Sequence, residues 1–187
     1  MQNDQRGPMQ GWLLLGQIVV MCLACAGCTT GGSKDAPGIT NFGRVTPQVW
    51  RGSKPDRAGM QWLAQQGVGT IIDLQMDDES ANVPAGVKYV PIRASLWSCD
   101  QVDVDAVVKA IDQSPKPVYI HCLVGRDRTG LAVAAWQMSH GMSADEAIAD
   151  MERFGSNPWW DGAIKRRIRQ LEQEKFRAPM VESTKNP

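Results

Sequence analysis

The sequence predicts an α/β domain with a central, mostly parallel sheet flanked by helices. Three observations carry this. VGTIIDL (Val68–Leu74), VKYVPI (Val87–Ile92) and VYI (Val118–Ile120) are short β-branched runs of the kind found in buried strands. Met60, Leu63 and Ala64, then Val104, Val107, Val108 and Ile111, then Ile164, Ile168 and Leu171 recur at helical spacing. The two patterns alternate along the chain, which is the order a parallel sheet requires.

Taken in order, VTPQVWRG (Val45–Gly52) reads as a first strand ending in Arg51 and Gly52. Asp56 is placed to cap a helix over MQWLAQQ that Gly67 ends. VGTIIDL follows, then a polar loop at Asp77, Asp78, Glu79 and Ser80, then the VKYVPI strand. Acidic Asp100, Asp103 and Asp105 open the helix carrying Val104 to Ile111, and Ser114-Pro115-Lys116-Pro117 breaks it. VYI delivers the chain to HCLVGRDRTG, and a small-residue helix runs from Thr129 to Gly141, with His140 at its C-terminal end. Ser143 to Glu146 (SADE) is a capping box for the next helix, and a last amphipathic helix covers roughly 161–176. No internal repeat is visible.

Length and charge bound the function. The 187 residues suit one domain with tails: 1–28 as an N-terminal targeting segment, 29–40 as a flexible linker, 41–176 as the folded domain and 177–187 as a polar tail. Lys+Arg and Asp+Glu both number 20, so the basic excess of a nucleic-acid-binding domain is missing. Lys165, Arg166, Arg167 and Arg169 face Glu172 and Glu174 nearby and read as a solvated helix face.

The N-terminal run from Trp12 to Ala26 is apolar apart from Gln17 and follows one early basic residue, Arg6. It falls short of the about 20 apolar residues that span a bilayer, and it has the length of a signal-peptide core. CAGC, Cys25 to Cys28, is similar to the lipobox of bacterial lipoproteins, where cleavage precedes a cysteine that is lipidated, here Cys28. A leucine is usual where Cys25 stands. The expectation is export with a lipid anchor in the bacterial cell envelope; the alternative is a cytoplasmic protein. Cys22, Cys25 and Cys28 form a C-x2-C-x2-C run, but it lies in the apolar segment with no fourth ligand nearby and reads as incidental. Cys99 and Cys122 remain for the folded part, too few for a disulfide scaffold.

HCLVGRDRTG carries the chemistry. A strand ends at His121, a tight loop runs from Cys122 to Arg128, and a helix opens at Thr129. A loop wrapped over a helix N-terminus turns successive N–H groups inward, a cradle for a tetrahedral anion. Gly125 gives the loop backbone freedom. Arg128 offers a planar fork for two phosphate oxygens, and Leu123, Val124, Arg126 and Asp127 complete the binding loop. Helix N-termini and nearby cations favour the thiolate of a cysteine. A thiolate beneath a phosphate cradle is a nucleophile for phosphorus.

The spacing Cys122-x5-Arg128-Thr129 resembles the signature of the cysteine-dependent protein tyrosine phosphatase superfamily. NFGRVTPQVWRGSKPDRAGMQWLAQQGVGTIIDL is similar to the opening of its small dual-specificity-like members, so the resemblance runs from about Asn41 to Phe154. GRDRTG is closest to the bacterial and lipid-directed branches. The resemblance implies a dual-specificity-phosphatase-like fold and a two-step mechanism through a cysteinyl-phosphate on Cys122. It implies that Arg128 and the loop amides hold the phosphoryl oxygens, that Thr129 hydrogen-bonds the sulfur and helps it leave, and that His121 orders the loop. Neither a metal nor a cofactor is implied.

The general acid departs from the family pattern. The position expected after VKYVPI falls near Ser95 or Leu96, neither of which donates a proton at neutral pH. Asp127 within the loop is the preferred acid, with Asp100 as the alternative. An aryl ester needs an acid less, because a phenol of pKa near 10 leaves more readily than an alkoxide. The implied substrate is a phosphorylated protein, tyrosine or dual-specificity, with phosphoinositides or inositol phosphates as the alternative and a non-catalytic phosphate-binding module as the rival class. Packing is the expected role of Trp97, Trp159 and Trp160, with Trp97 near the pocket rim. Cys99 is expected to be a half-buried thiol, and pairing with Cys122 under oxidising conditions is its alternative.

Overall fold

The computed structural model describes residues 35–176. A five-stranded sheet runs in the order β1-β2-β5-β3-β4. The segment read as one strand from Val45 to Gly52 is instead a hairpin: β1 (Gly43–Thr46) and β2 (Val49–Ser53) pair antiparallel around a turn at Pro47 and Gln48. Thr46 Oγ1 makes the turn by accepting from the N–H groups of Gln48 and Val49. The other pairings are parallel, so the expected mostly parallel sheet is present: β5 (Val118–Cys122) lies between β2 and β3 (Thr70–Asp73), and β4 (Lys88–Pro91) closes the far edge.

Alternation along the central strands sorts side chains to two faces. Val49, Ile72, Val118 and Ile120 join the larger core, while Trp50, Ile71 and Tyr119 join a smaller one with Phe42, Met60 and Leu63. Helix α1 (Arg57–Gln65) covers the smaller face, and Asp56 caps it by accepting from the Gly59 N–H at 2.9 Å, a contact whose loss costs about 1 kcal/mol. Helices α2 (Val104–Gln113), α3 (Asp127–Ser139), α4 (Ala144–Glu152) and α5 (Pro158–Leu171) cover the larger one. Each fully buried Leu or Ile there contributes about 1.5–3 kcal/mol. Ser143 and Glu146 form the expected capping box of α4.

Helix α5 begins at Pro158, three residues before the expected Asp161, because Asn157 caps it and proline is well tolerated in the first turn. It passes into a π-helical turn over Glu172–Phe176. Its basic face is ion-paired, Lys165 to Glu152 and Asp161, Arg167 to Glu174 and Arg169 to Asp145. The loop after β3 holds a short 3-10 turn at Ser80–Asn82, and Glu79, expected in a solvated loop, is buried. The apolar N-terminal run and Cys28 lie outside the described residues.

Candidate active site

The carboxyl ends of β2, β5 and β3 align side by side, with Ser53 opposite Cys122 and Asp73 opposite His121. Ligands of open parallel sheets bind at this edge. Cys122 is the last residue of β5 and is 3% exposed. The chain then turns through Leu123–Arg126 into α3, and the Gly125 N–H points at the Cys122 sulfur from 3.3 Å. Gly125 has φ +78°, and a Cβ there would sit 2.3 Å from the Gly52 carbonyl carbon, so the loop presses directly on β2.

Two residues that the sequence did not single out for the site hold the loop from outside. Arg51 on β2 is fully buried, donates from Nη2 to the Gly125 carbonyl at 2.9 Å, and stacks its guanidinium 3.9 Å from the Phe154 ring centre. Burial pulls its pKa down to about 10, opposed by the negative charge of Cys122, and it remains a cation at neutral pH. Asn41 adopts φ +53°, a left-handed conformation that asparagine tolerates, and its Nδ2 reaches the carbonyls of Val124, Gly125 and Phe154. Its neighbour Thr40 donates its N–H to Ser53 Oγ at 2.9 Å. On the other side of Gly52, the Lys54 N–H donates to the Leu123 carbonyl at 3.2 Å.

Arg128 is 4% exposed, and its Nη1 donates to the carbonyls of Leu74 (3.0 Å) and Ala94 (2.9 Å). It therefore ties the segments that follow β3 and β4 to the loop through Nη1. Thr129 follows in the first turn of α3. Its Oγ1 is buried without a hydrogen-bond partner among the described residues, and the sulfur accepts from the Gly125 amide. Asp127 opens α3 and accepts at Oδ1 from the Asn157 N–H at 3.0 Å, which fixes the loop before α5. Asp100 is half-buried in the segment before α2.

His121 is fully buried, with Nδ1 3.4 Å from the Cys122 carbonyl and 3.7 Å from Asp73 Oδ1. Burial pushes its pKa below the ordinary value against the pull of Asp73 and Glu79, so the ring is neutral near pH 7. Asp73, Glu79 and His121 bring donor atoms within 4.8 Å of one another, the cluster best composed to hold a metal among the described residues. The Lys54 ammonium pairs with Glu79, and Tyr89 donates its hydroxyl to Asp73 Oδ2 at 2.8 Å, so protein groups already satisfy much of its charge.

Cys99 is 1% exposed, more buried than expected; it is a free thiol, and its Sγ donates to the Leu96 carbonyl. Burial pushes its pKa up to about 11. Trp97 and Trp159, expected to pack, are 82% and 88% exposed, while Trp160 packs against the larger core.

A family described as a DSP-PTPase phosphatase fused to NAD+ kinase matches residues 36–166. The chain belongs to this family, in the dual-specificity-like branch of the cysteine-dependent tyrosine phosphatase superfamily. The dual specificity protein phosphatase TpbA of Pseudomonas aeruginosa is 27% identical over 119 residues, covering 62% of this chain and 55% of the relative. The chain thus spans about half the length of that relative. The crystal structure of a cysteine-to-serine variant of P. aeruginosa TpbA with phosphotyrosine superposes with a TM-score of 0.59 at 21% identity, covering 80% of this chain and 99% of that one. The core catalytic domain of the S. cerevisiae PP-IP phosphatase SIW14, in complex with citrate, has a TM-score of 0.55 at 19% identity, covering 71% and 90%. Cys122, Gly125, Arg128 and Thr129 lie together from the end of β5 to the first turn of α3, on a dual-specificity-type fold.

Proposed function

We propose that the protein is a metal-independent phosphatase that hydrolyses phosphate monoesters through a cysteinyl-phosphate on Cys122, with phosphotyrosine as its preferred ester. The observation that carries this reading is the Gly125 N–H aimed at Cys122 Sγ from 3.3 Å, at the base of a loop that enters a helix N-terminus. The loop amides and Arg128 hold the phosphoryl oxygens, which is where a loose phosphoryl transition state needs charge stabilisation. The Cys122 thiolate attacks phosphorus as the P–O bond to the leaving group breaks. The leaving oxygen keeps the electron pair of the broken P–O bond and takes a proton from Asp127. Water then attacks phosphorus, the S–P bond breaks, the thiolate returns, and Asp127 takes the water's proton.

Asp127 is supported as the acid by its place in the loop. Its Oδ1 also accepts from the Asn157 amide, which leaves Oδ2 as the oxygen that would hand over the proton. A tyrosine ester suits such a site, since its leaving group needs little protonation. Export through the N-terminal apolar run, with Cys28 lipidated, would place the domain in the cell envelope, facing exported or extracellular phosphoesters.

Phosphate release by the full-length chain, measured with reductant and EDTA, tests the reading. p-Nitrophenyl phosphate, a phosphotyrosyl peptide and an inositol polyphosphate are compared with the Cys122→Ser variant. Turnover that persists with EDTA, falls to background in Cys122→Ser and ranks the peptide first is expected. Faster inositol polyphosphate turnover would move the substrate class, and phosphate binding without turnover would leave a binding module. Asp127→Asn keeps an oxygen for the Asn157 amide and removes the proton, so undiminished kcat in that variant would reject Asp127 as the acid.

A further inference from the structure

Beside the phosphate loop lies an apolar groove of about 470 Å³ lined by Leu96, Trp97, Asn157, Trp159 and Trp160, within the size range of small-ligand sites. Both walls are bonded to loop residues. Asn157, the cap of α5, gives its N–H to Asp127. The segment carrying Leu96 and Trp97 begins at Ala94, whose carbonyl accepts from Arg128. The tryptophan backbones are fixed in turn, the Trp97 N–H on Ser95 Oγ at 3.1 Å and the Trp159 N–H on Asn157 Oδ1 at 3.1 Å.

Core packing does not explain Trp97 and Trp159, because neither belongs to a core cluster. No lysine, arginine, aspartate or glutamate lines the groove, whereas another cavity beyond Lys54 is lined by charges of both signs. An occupant that fits is therefore uncharged and apolar, and it is joined to a phosphate held at Cys122. A phosphoinositide joins its acyl chains to the ring through a second phosphate, and an uncharged groove gives that phosphate no cation. An extended peptide advances about 3.3–3.6 Å per residue, so residues flanking the phosphotyrosine run out over the surface beside the loop, where the groove's walls are bonded to Asp127 and Arg128.

We propose that this groove is a specificity subsite for a large apolar side chain flanking the phosphotyrosine of a peptide substrate. This rests on Cys122 being the phosphatase nucleophile. Trp97 and Trp159 supply flat aromatic faces for the flanking residue, and aromatic contacts contribute beyond the area they bury.

The test compares kcat and KM of the full-length chain on two phosphotyrosyl peptides, one flanked by phenylalanine and leucine and one by alanine. p-Nitrophenyl phosphate and phosphatidylcholine vesicles carrying a phosphatidylinositol phosphate run alongside. The apolar-flanked peptide is expected to have a kcat/KM about tenfold higher, through KM. In Trp97→Ala/Trp159→Ala, checked for folding by its Tm, that ratio should collapse towards one, and Trp97→Phe/Trp159→Phe should restore most of it. Equal kcat/KM for the two peptides, with p-nitrophenyl phosphate still hydrolysed, overturns the subsite and leaves the catalytic reading standing. No p-nitrophenyl phosphate turnover removes the catalytic reading and the subsite with it. A vesicle preference that disappears in the double alanine variant overturns the peptide occupant.

Discussion

Replacing Gly125 with alanine strikes the site where its geometry is tightest. The new Cβ would lie 2.3 Å from the Gly52 carbon, 2.4 Å from its oxygen and 2.6 Å from the Ser53 nitrogen. All three are backbone atoms of a central strand, so β2 does not give way. Ordinary contact begins at 3.4 Å, so the loop must retreat by about 3.4 − 2.3 ≈ 1.1 Å. Holding alanine in the left-handed region costs roughly 1–2 kcal/mol. Retreat also weakens the charge-assisted bond from Arg51 to the Gly125 carbonyl, a bond of the class worth about 1.5–3 kcal/mol. Together these give a loss of about 2–4 kcal/mol and a fall in Tm of roughly 5–15 °C. Activity suffers more, because the amide facing the Cys122 sulfur moves with the loop, and a displacement of about 1 Å costs about 10²-fold. The assay is kcat/KM on p-nitrophenyl phosphate beside a thermal melt. A variant within twofold of the wild type in rate and within a degree or two in Tm would show that the loop does not depend on this contact.

Arg51→Met keeps the apolar stem over Phe154 but removes the loop clamp and the buried cation near Cys122. kcat/KM should fall about tenfold or more, with a smaller change in Tm because a costly desolvated charge leaves too; Arg51→Lys should not rescue the rate, since a point charge replaces the planar fork. His121 is held neutral, so the folded state binds its proton less readily than the unfolded chain. Its contribution is fully present above the unfolded pKa, near 6.5, and is lost as pH falls from there towards the lower folded value. Tm should therefore decline as pH falls below about 6.5, and His121→Gln should flatten that decline. With its pKa pushed up to about 11 and its side chain buried, Cys99 should resist iodoacetamide at pH 8 in the folded Cys122→Ser chain and react readily in urea, as peptide mapping by mass spectrometry would show.

Much of the fold was legible because its signals are local. Asp56, Asp103 and Ser143 announce their helices through one side-chain oxygen each, and the structure uses all three as caps. The strand–loop–helix at Cys122 was equally plain, since nucleophile, glycine and arginine all fall within the segment from β5 to the first turn of α3. The hairpin at Pro47 and Gln48 was missed because its turn lacks the Asn-Gly or Asp-Gly pair that marks a two-residue loop. Arg51 and Asn41 were missed as site residues for a different reason: their partners lie 74 and 83 to 113 residues away. Nothing in the local sequence says that a strand-borne arginine will be buried or that one asparagine will turn left-handed. Trp97 and Trp159 show the limit of hydrophobicity as a guide, because the same indole that fills a core also serves as an exposed face.

Asn41 precedes β1, yet its amide spans three carbonyls on two segments, the Cys122 loop and the turn after α4. The stiffness of the reactive loop is therefore partly a mechanical property of the domain's leading edge. Force applied to the segment before β1 would pass through Thr40 to Ser53 of β2 and through Asn41 to the Cys122 loop at once, so strand edge and reactive loop would slacken together.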